Sequence, residues 1–472
     1  MPDPFFIPPG GFTHRLARFL LERNCYDRLP AEVVQRSKEM MVNAAAAALA
    51  AAARPEGQAL ARFVQDMRGN GRCTIIGMGL RTSPAYAALT NGTLAHLLDF
   101  DDEIVDRGVH PSSAVFPVAM ALGEMNGNSG KEVLAAFALG CEVTAKLAGI
   151  GCPDLQERRL IRLPARDQVD SVFGVLGATV AAALLLGLDQ GQLESALGMA
   201  GGASAAVPAG LATPARSLQC GRAAMNGVMA ASLVRQGFDG AADALEAPGG
   251  LLERCCLGLP PEPAKQVEVF FRRLANPFDV AHPGVTLKLY PCGTASHTCI
   301  DAVLQVMQQY QIKPEQVETV RVSVTPESVA HLPYATPRNG WEARSCLSYI
   351  VAATLLHGPP LIDFFSDAAV QDSAVRRMMD RVTVEATEPG SLLAPSPSSL
   401  SIDLADGRRV QHRVEFARGQ PELPLDPEEL DAKFLYCSRY ILPPDHIEEA
   451  IDSFRNLENI ENVTGMASVL GG

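Results

Sequence analysis

The densest acidic stretch of the chain, Asp99-Phe100-Asp101-Asp102-Glu103 with Asp106 close behind, runs almost directly into Val109-His110-Pro111-Ser112-Ser113. Carboxylates beside a histidine can orient its ring for proton transfer, and an imidazole titrates near neutral pH. Pro111 suits the first position of a helix, where free backbone N–H groups and the Ser112 and Ser113 hydroxyls would cradle an anion with His110 at the rim. Two cations stand in unusually apolar surroundings: Lys288 in Leu287-Lys288-Leu289-Tyr290-Pro291-Cys292, and Arg216 within Pro214 to Gly221. Both residue types normally occupy solvated faces, so each placement is unusual. The plainer readings are a snorkelling lysine and a helix-cap or interface arginine. His297 and Asp301, four residues apart on one helical face, are placed to pair.

Other chemistries fit less well. Counted from Asp101, the closing position of a DDxxD magnesium motif is Val105, and Asp102-Glu103 with Asp106 matches only loosely. A calcium loop fails too, for want of glycine at its sixth position and glutamate at its twelfth. Gly77-Met78-Gly79 follows a short apolar strand, but the third glycine of a dinucleotide turn is replaced by Thr82, and Pro84 comes soon after. The 11 cysteines include no CxxC pair, which disfavours zinc ribbons and points to reduced, mostly buried thiols. No metal is expected.

These residues need elements to position them. Up to about Leu259 the chain is rich in Ala, Leu and Gly at helical spacing, and stretches such as Ala44 to Ala53, Val172 to Leu188 and Ala223 to Val234 belong to closely packed central helices. Asp189 and Ser129 are plausible helix caps. Beyond Pro260, Val320, Val322 and Val324 alternate with polar residues, as do Val382 and Val384. So do Ile402 and Leu404 before Asp406-Gly407, then Val410, Val414 and Phe416. These are strands, the last two joined in a hairpin by Asp406-Gly407. Helices are expected between them at Thr294 to Gln309 and Glu342 to His357, and a surface loop at Pro389 to Ser399. Asp426-Pro427-Glu428-Glu429 and Asp445 each open a further helix. The expected fold is mainly α: an all-helical domain over residues 1–270, a smaller α+β domain over 271–425, and C-terminal helices over 426–472 that rejoin or bridge to the first.

With 40 Lys and Arg against 53 Asp and Glu, the chain carries a net charge of -13, which repels phosphate backbones and acidic membrane surfaces. Nucleic acid and membrane are therefore not expected partners. A carboxylate ligand would need local cations. The segment Met1 to Gly11 does not read as a signal peptide, so a cytoplasmic location is expected. The most apolar run, Ser171 to Leu188, is slightly short for a membrane span and reads as a buried helix.

Taken together, Asn91-Gly92 through His96, Leu98-Asp99-Phe100-Asp101-Asp102, His110-Pro111-Ser112, and Lys288-Leu289-Tyr290-Pro291-Cys292 with His297 resemble the signature blocks of the MmgE/PrpD family, in order and spacing, over nearly the whole chain. That family includes 2-methylcitrate dehydratase, cis-aconitate decarboxylase and iminodisuccinate epimerase. The resemblance implies a large helical domain, a smaller α+β lid, a homodimer, and cofactor-independent chemistry on a small polycarboxylate. It implies catalytic roles for Asp99, His110 and Lys288, with Arg216, Gln168, Ser112, Ser113 and His297 at the substrate. Two positions depart from the cis-aconitate decarboxylases: Gln168 stands where they carry a further active-site histidine, and Arg216 where they carry a lysine. The positive charge survives and the second imidazole does not. The favoured activity is accordingly a hydro-lyase of the 2-methylcitrate dehydratase kind on a hydroxylated di- or tricarboxylate. Epimerisation or cis-aconitate-type decarboxylation is the alternative, and a non-catalytic carboxylate-binding protein the alternative of another class.

A reaction run without metal should survive EDTA. Turnover lost on chelation and restored by a divalent ion would make the acidic cluster a ligand set.

Overall fold

The computed structural model describes residues 11–150, 169–204, 212–255, 263–388 and 396–472. The chain divides into two compact units. One is helical and comprises residues up to Leu97, Asp101–Val285 and Asp426–Gly472; the other comprises Leu98–Phe100 and Thr286–Leu425. The fold is mainly α with a smaller α+β part.

In the helical unit, alanine sets the packing. The helix Ala31–Ala52 is buried along almost its whole second half, Met40 to Ala52, as a helix without a polar face must be. Pro84–Leu97, Pro111–Asn126, Gly130–Ile150, Val169–Leu185 and Ala215–Arg235 pack closely with one another. At Gly221 a side chain is excluded: a Cβ there would stand 2.2 Å from the Leu89 carbonyl oxygen, and one on Gly92 would stand 2.9 Å from the Ser113 carbonyl oxygen. The helices that carry His96 and Ser113 thus meet at backbone distance. Asp189 closes a capping box with Gln192, and Ser129 does the same with Glu132. Asp426 caps Pro427–Ser438 together with Glu429, and Lys433 of that helix donates to Asn43 Oδ1 at 2.6 Å.

Local departures from the sequence expectations have simple causes. The helix expected to open at Asp445 begins at Pro444, with Pro443 as its cap and Asp445 in its first turn; a proline needs no N–H at that position. Cys73–Ile75 and Leu80–Thr82 pair antiparallel around Gly77 and Gly79, both at positive φ, so the glycines serve a hairpin turn. Among the described residues no helix is long and apolar enough to cross a membrane, and the apolar run from Ser171 to Leu186 is buried.

The second unit is built on a four-stranded sheet. Val317–Val324 lies parallel to Val382–Ala386 on one side and antiparallel to Ser398–Leu404 on the other, which in turn pairs with Arg409–Val414. Gly407, at φ 84°, makes the last turn. Val320, Val322, Leu400 and Ile402 pack with Ile300 and Val303 of His297–Tyr310 and with Tyr349 and Ile350 of Leu347–His357. The expected helix from Thr294 starts as a 3₁₀ turn, Thr294–Ser296, and the one from Glu342 is broken between Ala343 and Leu347. Of the expected loop Pro389 to Ser399, residues 389–395 lie outside the described residues and Ser398 already belongs to a strand.

Substituting Gly221 by alanine should lower the stability of the helical unit by about 1–3 kcal/mol, the usual cost of overpacking, read as an earlier denaturant midpoint. A variant as stable as the parent would show that the helices separate without cost.

Candidate functional site

The helix Pro84–Leu97 carries two buried polar residues with different tasks. Asn91 bonds the Cys73–Thr82 hairpin, accepting from Ile76 N at 3.0 Å and donating to Thr74 O at 2.9 Å, so it is structural. His96, in the last turn, points Nδ1 at Asp101 Oδ2 from 2.8 Å. Asp101 is fully buried. The same Oδ2 accepts the Ser113 hydroxyl and lies 3.5 Å from His110 Nδ1. Burial alone would raise the Asp101 pKa, but the two imidazoles, by charge and hydrogen bond, hold it well below the ordinary carboxylate value.

Asp102, its neighbour, has the opposite fate. Burial and the Asp101 charge push its carboxyl up to about 7, against the opposing hydrogen bond from Ser112. That hydroxyl donates to Asp102 Oδ2 at 2.6 Å, while the Asp102 backbone carbonyl accepts from His110 Nδ1 at 2.6 Å. A carbonyl only accepts, so Nδ1 carries the ring hydrogen and Nε2 of a neutral His110 is the basic atom. The His110 backbone N–H donates to Asp170, which stands where the helix Pro111–Asn126 begins. The expected anion cradle is therefore partly filled from within: Ser112, Ser113 and the His110 amide are committed to Asp102, Asp101 and Asp170.

The loop between Asp102 and His110 is fixed by a second buried network. Ile104 bridges Val109, and Arg107 Nε donates to Asp279 Oδ2 at 2.7 Å. Asp279 also pairs with Lys146, whose ammonium reaches the Pro277 carbonyl at 2.9 Å. Glu142 accepts from the Ala275 and Asp279 amides at 2.7 and 2.8 Å; burial lifts its carboxyl to about 7 against the pull of Lys146. Arg216 lies in the first turn of Ala215–Arg235, and its charge reaches the buried Cys220 thiol along with those of Asp170, Asp101 and Asp102.

The structure thus groups the expected residues within separate units. His110, Ser112, Ser113 and Arg216 belong to the helical one, and Gln168 lies outside the described residues. Asp99, Lys288 and His297 belong to the other. There Lys288, 1 % exposed, is ion-paired with Asp99, which takes a positive φ of 53° that aspartate tolerates better than most residues. Asp99 is thus the lysine's partner, and the carboxylate beside the His110 ring is that of Asp101, 3.5 Å from Nδ1. The expected pairing of His297 with Asp301 does not form. Asp301 instead accepts the Tyr290 hydroxyl at 2.6 Å and the Arg418 amide at 2.8 Å, while His297 Nε2 lies 3.3 Å from the Cys292 carbonyl.

His96, Asp170 and the Arg107–Asp279–Lys146–Glu142 network are the participants that reading for chemistry passed over. His96 closed one of the recognised blocks without a role assigned to it, and Asp170 lay two residues past Gln168; Arg107 and Asp279, 172 positions apart, carried no local signal. Among the described residues, donor atoms of His96, Asp101 and His110 lie within 4.8 Å of one another, near enough to surround one ion. The chemistry of the set does not fit a metal at the facing atoms. Both Nδ1 positions hold hydrogens directed at oxygen acceptors, and a metal would need those lone pairs.

The model of the MmgE/PrpD N-terminal domain matches residues 14–264, and that of the MmgE/PrpD C-terminal domain matches 290–459. A cis-aconitate decarboxylase of Homo sapiens is 28 % identical over 452 residues, spanning 93 % of this chain and 90 % of the relative. A cis-aconitate decarboxylase-like protein of Aspergillus oryzae is 26 % identical with 98 % of both chains covered, and a cis-aconitate decarboxylase of Aspergillus terreus is 24 % identical with 94 % and 93 % covered.

The Asp102 shift has a measurable consequence. A carboxyl whose pKa rises from 3.8 to about 7 on folding binds its proton more tightly in the native state, so its contribution favours folding at low pH and fades as pH rises between those values. Asp102→Asn should therefore gain stability relative to the parent as pH goes from about 4 to 7, read by thermal unfolding across that range. A difference independent of pH would mean that Asp102 is ionised throughout.

Proposed function

The chain belongs to the MmgE/PrpD family, and from that membership we propose that it is a lyase acting on a small tricarboxylate by proton transfer at a carbon next to a carboxylate. The observation that carries this reading is the fixed tautomer of His110. Its Nδ1–H is held by the Asp102 carbonyl, so Nε2 is left as the base, at the start of a helix in a buried setting. On taking a proton, the ring becomes a cation beside the ionised Asp101, which stabilises it. The substrate meanwhile gains negative charge on its carboxylate, which needs a cation or an aimed donor to develop. Arg216, at the start of its helix, is our candidate in the helical unit; Lys288, poised on Asp99, is the candidate in the other, where a substrate carboxylate would take over part of the role of Asp99.

Within this class we favour dehydration of a hydroxylated tricarboxylate, in the manner of 2-methylcitrate dehydratase, with no cofactor. The support is Gln168, which can donate a hydrogen bond but cannot shuttle a proton near neutral pH. A specific observation favours a second reading, decarboxylation of cis-aconitate: the full-length relatives carry that name.

A mass-spectrometric turnover screen over citrate, methylcitrate, cis-aconitate, malate-type and amino-dicarboxylate compounds separates these. Loss of water from a hydroxytricarboxylate is the expected result. Release of carbon dioxide from cis-aconitate would select the second reading, inversion of an amino-dicarboxylate an epimerase, and binding without turnover a binding protein. On the substrate found, His110→Gln should lower kcat by roughly 10²- to 10⁴-fold with the fold intact. Lys288→Ala should weaken turnover through lost charge stabilisation, with its stability measured alongside because Asp99 loses its partner. Near-full turnover by a well-folded His110 variant would make that histidine structural.

A further inference from the structure

We infer that His96 is a second functional imidazole, sharing the Asp101 carboxylate with His110 and setting through it the protonation of His110. The inference deepens the proposed role of His110 as base and rests on it for its catalytic meaning. A buried histidine that only filled space would be satisfied by a backbone carbonyl. His96 is bonded to a buried carboxylate, and to the one oxygen of it that also takes Ser113 and faces His110. The other oxygen, Asp101 Oδ1, is buried with no hydrogen-bond partner among the described residues, so all the donors converge on Oδ2. The two rings stand edge to face, 4.7 Å between centroids at 65°.

That arrangement limits charge. One ionised carboxylate balances one imidazolium. A second cation 4.7 Å away would be opposed by like charge between two buried rings. Around the pair stand Asp102, protonated over part of the neutral range, and Asp170, bonded to the His110 amide. From Ala215–Arg235 come Arg216, which adds positive charge, and Cys220, whose thiol burial keeps neutral. One ionised Asp101 between the two rings accommodates one extra proton on them. His96 sits in the last turn of its helix, the end at which the helix dipole is negative. Its Nδ1–H fixes the orientation of Asp101, and its charge state governs how readily His110 Nε2 accepts. His96 is thereby a positioning residue, and an imidazole stands in the described site although position 168 has none.

The test uses the whole protein with histidine rings labelled, the His110 signal assigned by its loss in His110→Gln, and its titration followed by NMR. In the parent, His110 should deviate from a one-proton curve. In His96→Asn, whose amide N–H replaces Nδ1–H on Asp101 but binds no proton, the His110 midpoint should rise by about one unit, a tenfold change in proton affinity, with only the coupling to Asp102 left in its curve. The kcat–pH profile should move with it, with KM little changed. An identical His110 curve in parent and His96→Asn would overturn the inference and leave His96 a hydrogen-bond donor only. Should His96→Asn fail to fold, both ring signals are followed in the parent: a step shared by His96 and His110 supports the inference, and a His96 signal that does not move with His110 overturns it. Because the titration needs no substrate, coupled titration without tricarboxylate turnover would remove the proposed function alone. Turnover with uncoupled titration would remove this inference alone.

Discussion

A carboxylate with no exposure to water is tolerable only where donors surround it, and Asp101 is such a group. Its donors come from separate elements, His96 from the end of one helix and Ser113 from the first turn of another, and the His110 ring, from the residue that caps the second, stands 3.5 Å away. Each must keep its place for the charge to stay buried. The His110 ring is set beside that charge by the Asp102 carbonyl and by the bond of its own amide to Asp170.

The helices can meet this requirement because their contact faces are small. Where Gly221 passes Leu89, and Gly92 passes Ser113, the backbones are too close for a methyl group. Close approach brings polar side chains from three helices within hydrogen-bond reach of one another and leaves little room for water, which strengthens each charge interaction. The same packing splits the titration of two adjacent acids: Asp101 is held ionised by its imidazoles, and Asp102, next to that negative charge, is pushed toward neutrality. Such a division between neighbouring carboxyls is what proton-transfer sites use.

Beneath the cluster, the Arg107–Asp279–Lys146–Glu142 network pins the turn that delivers His110. It joins that turn to a long helix and to the segment around Pro277, so that the loop before the histidine is held by charges rather than by secondary structure. In the other unit a comparable economy applies to Lys288. Its ammonium is neutralised by Asp99, whose backbone takes a conformation that only a few residue types adopt readily.

Much of this was legible one element at a time. The alternation of Val320, Val322 and Val324, the Asp406-Gly407 turn, the caps at Asp189, Ser129 and Asp426, and Pro111 at a helix start are local, and short-range sterics and hydrogen bonding suffice to specify them. The acidic cluster and His110 were recognisable as a proton-transfer constellation because they are close in sequence. What the sequence left open is which acid serves which base. Asp99 and Asp101 differ in nothing local, yet one neutralises a lysine 189 positions away and the other collects two histidines and a serine. Asp301 likewise passes over His297, one helical turn away, for Tyr290 and an amide 117 positions on. Partner choice of this kind follows from burial: once water is excluded, each charge must take the donors that the tertiary packing brings to it, and those donors are set by the fold and not by spacing along the chain.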